Sequence, residues 1–187
     1  MPRLNLGHPD DGSHTTPNGT AEAVELWLSP KVNGSGIDTA WAYHNQADVG
    51  QGIVASGRSR SSIFVTTKVP GALGRSDSLQ NIRDDLALLN LSYVDLALVH
   101  QPCEHMAPRP CSHAPAAVLQ DTWKGMQDAL RLGLARAIGV SNFKQTDLAP
   151  VLERLCGGSA WLRYPSVARA GAQHGCGIRP NRRLLGR

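Results

Sequence analysis

From residue 36 to residue 155 the chain alternates β-branched runs with stretches of helical spacing, and this alternation restricts the possible folds more than any other feature. SGIDTA reads as a short strand after a Gly-rich turn, QADVGQGIVASG as a helix with Val49, Ile53 and Val54 inward, and SSIFVTTKV as a buried strand. SDSLQNIRDDLALLN follows as a helix capped by Ser76 or Asp77, with Leu79, Ile82, Leu86 and Leu89 on one face. YVDLALVH is the next buried strand. AAVLQDTWKGMQDALRLG then forms a helix with Val118, Trp123, Met126 and Leu130 inward and Gly133 at its end. LARAIGVSNF and TDLAPVLERL give one more strand and helix. Strand-helix-strand units of this length dictate a parallel sheet with right-handed crossovers, hence a barrel or a doubly wound sheet.

The flanks are less regular. Residues 3 to 7 offer a short first strand, HPDDGSHTTPNGT a loop, and AEAVELWL a helix capped by Thr20 and ended by Ser29-Pro30. After residue 156 the apolar period gives way to Gly, Pro and Arg. Six of the nineteen Lys and Arg fall there and none of the fifteen acids, so the net charge of +4 belongs wholly to the tail. With Trp161 and Tyr164 those arginines could touch phosphates, but no nucleic-acid-binding motif accompanies them, and no nucleic-acid partner is expected. The expected organisation is an incomplete barrel domain over residues 1–168 and a basic, disordered tail over residues 169–187. The 41% of hydrophobic and 18% of charged residues exclude a disordered polyelectrolyte. No apolar run reaches the ~18 residues of a membrane span, and the N-terminus lacks the apolar stretch of a secretory signal, so a cytoplasmic location with the four cysteines as free thiols is expected.

GQGIVA, residues 50 to 55, matches the G-x-G-x-x-A form of a dinucleotide fingerprint. It does not follow a buried strand, and no acid lies about 20 residues on to take a ribose hydroxyl, so these glycines read as helix. Cys103, His105, Cys111 and His113 form two C-x-H pairs, a spacing too tight for an ordinary zinc site and broken by Pro108 and Pro110; no metal is expected. A stronger constellation lies at the C-terminal ends of successive strands, where α/β barrels place their active sites. Asp38 ends SGIDTA with Tyr43 five residues on, Lys68 ends IFVTTK, His100 ends YVDLALVH, and Ser141 and Asn142 end ARAIGVSN. Any one of these alone would read as a hydrophilic residue opening a loop. Lys68 resists that account, because a lysine closing a buried strand needs a counter-charge, which Asp38 on the neighbouring strand can supply.

IDTAWAYHNQADVG, VTTKVPG, VDLALVHQP and ARAIGVSNF, in this order and spacing, resemble the signatures of the aldo-keto reductases. The resemblance implies a partial (β/α)8 TIM barrel of about the first five to six strands, and NADPH bound without a Rossmann fingerprint. It also implies reduction of an aldehyde or ketone carbonyl. Asp38, Tyr43, Lys68 and His100 then occupy the family's catalytic positions. Tyr43 would be the proton donor, with the Lys68 ammonium stabilising its phenolate and Asp38 holding the lysine. His100 would orient the carbonyl oxygen, and Asp38, Ser141 and Asn142 would contact the cofactor. The sequence departs from the family after TyrProSerVal at 164 to 167, where Ala168 and Arg169 stand in place of Asn-Gln. The later aromatic that stacks on the nicotinamide and the basic segment for the 2′-phosphate have no counterpart. Weakened NADPH binding and self-association through an open barrel edge are the corresponding expectations. The competing expectation is a catalytically silent chain that acts through protein association.

Overall fold

The computed structural model describes residues 2, 5–7, 19–103, 114–144, 146–148 and 151. In chain order the elements are β1 (Leu6–Gly7), α1 (Gly19–Leu28), β2 (Gly36–Asp38), α2 (Gln46–Ala55), β3 (Phe64–Val69), α3 (Arg75–Leu89), β4 (Leu96–Val99), α4 (Ala116–Arg131) and β5 (Ile138–Val140). Short 3₁₀ turns at Trp41–Tyr43 and Arg60–Ser62 lead into α2 and β3. Helical residues recur at 146–148 and 151, within the last expected helix. The proposed boundary at residue 168 and the basic tail lie outside the described residues.

All four strand pairs are parallel, and the strands stand side by side in chain order, β1-β2-β3-β4-β5. A doubly wound sheet reverses its strand order at a switch point, which sends its helices to both faces. Here every connection moves one strand along in the same direction, and α1 packs on α2, α2 on α3 and α3 on α4. The helices therefore form a single outer layer, and the other face of the sheet is the interior of a partial barrel.

The two faces divide the strand residues by parity. Ile37, Val65, Val69, Ala97, Val99 and Ile138 point at the helices and are buried with Val24, Leu28, Ile82, Leu89, Trp123 and Met126 in one core. Each of the Val, Leu, Ile and Met side chains among them contributes about 1.5 to 3 kcal/mol on burial, so this layer dominates stability. Asp38 and Lys68 alternate with these core residues along their strands and face the barrel interior. His100 and Ser141, each directly after a strand, continue the same parity.

Several local expectations need correction. Val54 is exposed, because the inward stripe of α2 is Val49, Gly50 and Ile53. Thr20 lies inside α1 rather than capping it. The cap of α3 is Gly74, with φ of 81°, and the helix begins at Arg75. Neither Ser76 nor Asp77 is needed, since α4 closes that end: the Arg75 N–H donates to Asp121 Oδ2 (2.9 Å) and the Gly74 N–H to Thr122 Oγ1 (2.8 Å). Cys103 is disulfide-bonded, not a free thiol. Compartment chemistry constrains what a cysteine can keep, and says nothing of which sulfurs the fold brings together.

The glycines of GQGIVA are packing residues. A Cβ on Gly50 would stand 2.6 Å from the Leu89 carbonyl oxygen, and one on Gly52 would run into Ala21 and Val24. They let α2 approach α3 and α1 closely, which agrees with reading the motif as helix.

Candidate active site

The parallel sheet brings the C-terminal ends of β2 to β5 to one rim. Asp38 is the last residue of β2, Lys68 the last but one of β3, and His100 and Ser141 directly follow β4 and β5. The register is fixed by backbone bonds that continue past the strands: Thr39 N–H to Thr66 O (2.9 Å), His100 N–H to Val69 O (2.9 Å) and Ser141 N–H to Val99 O (2.8 Å).

Lys68 is the hub. Its side chain is only 7% exposed, and its Nζ donates to the Asp38 carboxylate, to Tyr43 Oη at 3.1 Å and to the Thr39 carbonyl at 3.2 Å. Three acceptors thus meet the three N–H donors of one ammonium, which keeps a buried cation satisfied. Nζ also lies 4.6 Å from the Tyr43 ring centroid. Tyr43 is half-buried at the end of the 3₁₀ turn, and the left-handed His44 (φ 51°) redirects the chain into α2. The His100 imidazole meets the Tyr43 ring edge to face, centroids 5.7 Å apart.

On the far side of the rim, Asn142 adopts a left-handed conformation (φ 59°), which bends the chain sharply after β5. Its Nδ2 donates to the His100 carbonyl (2.8 Å) and to Ser141 Oγ (3.2 Å). The Asn142 oxygen and the Ser141 hydroxyl proton remain as an acceptor and donor pair, which fits a primary carboxamide. All six expected site residues therefore lie on one rim. Asp38, Tyr43, Lys68 and His100 form one connected group, and Ser141 and Asn142 join it through the His100 backbone.

Sequence reasoning missed a second tier behind this rim. Thr39 Oγ1 donates to Asn45 Oδ1 (2.7 Å), while Gln46 Nε2 and Thr67 Oγ1 donate to the two oxygens of Asp85 at 2.8 and 2.5 Å. All five residues are buried. Burial is the main cause that raises Asp85 from its usual 3.8 to about 6, against the lowering effect of the two hydrogen bonds. The signal was present: Asp85 lies on the Ile82, Leu86 and Leu89 stripe, where a carboxylate has no place unless it is paired. Of the Cys and His cluster only Cys103 is described, and as a disulfide sulfur it offers no thiolate to a metal. Among the described residues there is no group of three metal-ligating side chains, and no helix is long and apolar enough to cross a membrane.

Comparison with known proteins gives this rim a family. The model of the Aldo/keto reductase family matches residues 6–156. An aldo-keto reductase of Mycobacterium tuberculosis is 37% identical over 154 residues, which is 82% of this chain and 49% of that protein. The 2,5-diketo-D-gluconic acid reductase B of a Corynebacterium species is 36% identical over 118 residues, 63% of this chain and 39% of the relative. The crystal structure of a Bombyx mori aldo-keto reductase in complex with NADP shares the fold with a TM-score of 0.68 at 31% identity, covering 94% of this chain and 60% of that one. The chain thus spans half or less of the length of these two curated relatives. The match over residues 6–156, together with the shared barrel architecture, shows that the chain belongs to the aldo/keto reductase family.

Proposed function

We propose that the chain carries the carbonyl-reducing centre of an NADPH-dependent oxidoreductase that converts an aldehyde or ketone to an alcohol, with Tyr43 as proton donor. Members of this family generally perform NAD(P)H-dependent carbonyl reduction. The observation that carries the reading is the buried Lys68 ammonium, held by Asp38 and in hydrogen-bond contact with the Tyr43 phenol at 3.1 Å.

Reduction needs a hydride at carbon and a proton at oxygen. Bound NADPH supplies the hydride. The Tyr43 hydroxyl donates a hydrogen bond to the carbonyl oxygen and passes its proton to the developing alkoxide. Lys68, already against that oxygen, stabilises the phenolate left behind, and Asp38 fixes the ammonium in place. His100, across the Tyr43 ring, supplies the second hydrogen bond that orients the carbonyl. Ser141 and Asn142 would hold the cofactor's carboxamide and orient it toward the substrate. On this reading the five strands furnish the nicotinamide end of the site. The substrate class is a small carbonyl compound, as the name of the Corynebacterium relative suggests.

The test is Tyr43→Phe. NADPH oxidation with a panel of aldehydes and ketones should fall by about 10²- to 10⁴-fold in the variant, with an unchanged circular dichroism spectrum. Equal rates in the two proteins would remove Tyr43 from the mechanism.

A further inference from the structure

We propose that Asp85 is a positioning residue: from behind the sheet its carboxylate ties the segment that carries Tyr43, through Gln46, to the strand that carries Lys68, through Thr67, and so holds the phenol against the ammonium. This rests on the reading that Tyr43 and Lys68 act together.

Thr67 and Lys68 are consecutive in β3, so their side chains leave the sheet on opposite faces. Lys68 turns inward to Asp38 and Tyr43, while Thr67 turns outward and donates to Asp85 Oδ2 at 2.5 Å. Gln46, the first residue of α2, follows Tyr43 by three positions and donates to the other oxygen, Oδ1, at 2.8 Å. One carboxylate therefore receives one hydrogen bond from each of the two segments whose separation sets the 3.1 Å phenol–ammonium contact. Asp85, Thr67 and Gln46 are 0%, 0% and 3% exposed, so water does not compete for these bonds. The neighbouring pair Thr39 and Asn45 makes a parallel tie from the end of β2 to the same segment.

The tie depends on ionisation. An ionised carboxylate accepts at both oxygens, matching the two donors aimed at it; a carboxylic acid keeps both contacts only if the Thr67 hydroxyl turns to accept from it, which gives up the stronger charge-assisted bond. The charged neighbour that acts on Asp85 is Asp84 on its own helix, whereas α2 and β3 face it with the neutral Gln46 and Thr67. Lys68 is committed to acceptors on the opposite face. The rise of the Asp85 carboxyl to about 6 places the change of state within reach of mild acidification.

The experiment uses the whole chain labelled with ¹³C at the tyrosine ring carbon that bears oxygen, the Tyr43 resonance being identified by its loss in Tyr43→Phe. In the wild type that resonance should move through an inflection near the Asp85 transition as pH falls. Thr67→Val keeps the strand's shape and Gln46→Leu keeps the helix's bulk, and each cuts one tie while leaving the carboxylate in place. Either should abolish the inflection and displace the neutral-pH resonance, and should lower kcat about 10- to 100-fold with KM little changed. An inflection that persists in both variants would mean that Tyr43 reports the His100 imidazole against its ring, or the field of Asp85, and not the two ties, and would overturn the positioning role. So would a wild-type resonance that does not respond to pH. Absence of turnover in the wild type would count against the proposed function alone, because the resonance still decides whether Asp85 governs Tyr43.

Discussion

Asp85→Asn should stabilise the protein increasingly as pH rises, which is the reverse of what removal of an acidic group from a salt bridge would do. Burial raises the folded-state value to about 6 from the usual 3.8. Between those values the folded chain binds more protons at this site than the unfolded chain, so its contribution to stability falls with rising pH. The contribution is fully present below pH 3.8 and is lost as pH passes through about 6. The full separation is equivalent to about 3 kcal/mol. Asparagine has the same shape and no charge to desolvate, so the variant lacks this loss. Its stability advantage over the wild type should therefore open by about 3 kcal/mol between pH 3 and pH 7 and level off above. At a urea slope of ~2 kcal/mol/M the midpoints separate by about 1.5 M across that window. Urea titrations followed by tryptophan fluorescence, with Trp123 buried as the reporter, measure it. Asp121, held low by Lys124, and Asp128, held low by Arg75, run in the opposite direction, losing stability as pH falls, but they are common to both proteins and cancel in the difference. A gap that is flat from pH 3 to 7, or that closes, would show that the hydrogen bonds outweigh desolvation and that the reasoning is wrong.

Lys68→Met should lower carbonyl reduction as severely as Tyr43→Phe, and the double variant should be no slower than Tyr43→Phe alone, because the two side chains act as a unit; additive losses in steady-state rates would separate them. Gly50→Val should cost about 1 to 3 kcal/mol, since its first carbon already meets the immobile Leu89 backbone; a thermal melt unchanged from wild type would mean that α2 and α3 are not in close approach. Asp95→Ala should cost about 3 to 5 kcal/mol, whereas Arg136→Ala should cost under ~1 kcal/mol. Asp95 is buried and receives Arg60, Arg136 and the Val65 N–H, while Arg136 is largely exposed. Equal chemical denaturation midpoints for those two variants would contradict this ranking.

The inner rim was legible from sequence because Asp38, Lys68, His100 and Ser141 end or directly follow strand runs, and strand ends in a parallel sheet share one edge, with Tyr43 and Asn142 further along the same loops. The choice between barrel and doubly wound sheet was not legible from periodicity alone, since both have the same alternation; only the order of pairing separates them. The resemblance to a known family made that choice in advance. The cap of α3 escaped notice because it comes from Asp121 and Thr122, more than forty residues away. Local rules nominate Ser76 and Asp77, which lie in the first turn without being needed. Val54 was misplaced for a related reason: a short helix with an apolar residue on its open side has the same spacing as one with a broader buried face. Asp85 was an informative anomaly left unread, a carboxylate at a core position of α3.

Strand β3 shows why the two tiers are inseparable. Its alternation sends Lys68 to the rim and Thr67 to Asp85, so a slip of one residue would exchange them, placing an ammonium in the apolar helix layer and a hydroxyl opposite Asp38. Two devices oppose such a slip. At the start of the strand the Val65 N–H donates to Asp95 at 3.0 Å, and Asp95 is in turn bound to Arg60 at 2.7 Å and Arg136 at 3.2 Å, with both guanidiniums 4.0 Å from the Tyr93 ring. At its other end the Thr67 hydroxyl meets Asp85. The lower device is distant from the rim and has purely structural chemistry, a paired carboxylate that fixes register. The upper one sits directly behind the ammonium and carries a carboxylate whose ionisation destabilises the fold. One carboxylate there meets both the strand that carries Lys68, through Thr67, and the segment that carries Tyr43, through Gln46, and the proposed positioning role rests on that pair of hydrogen bonds.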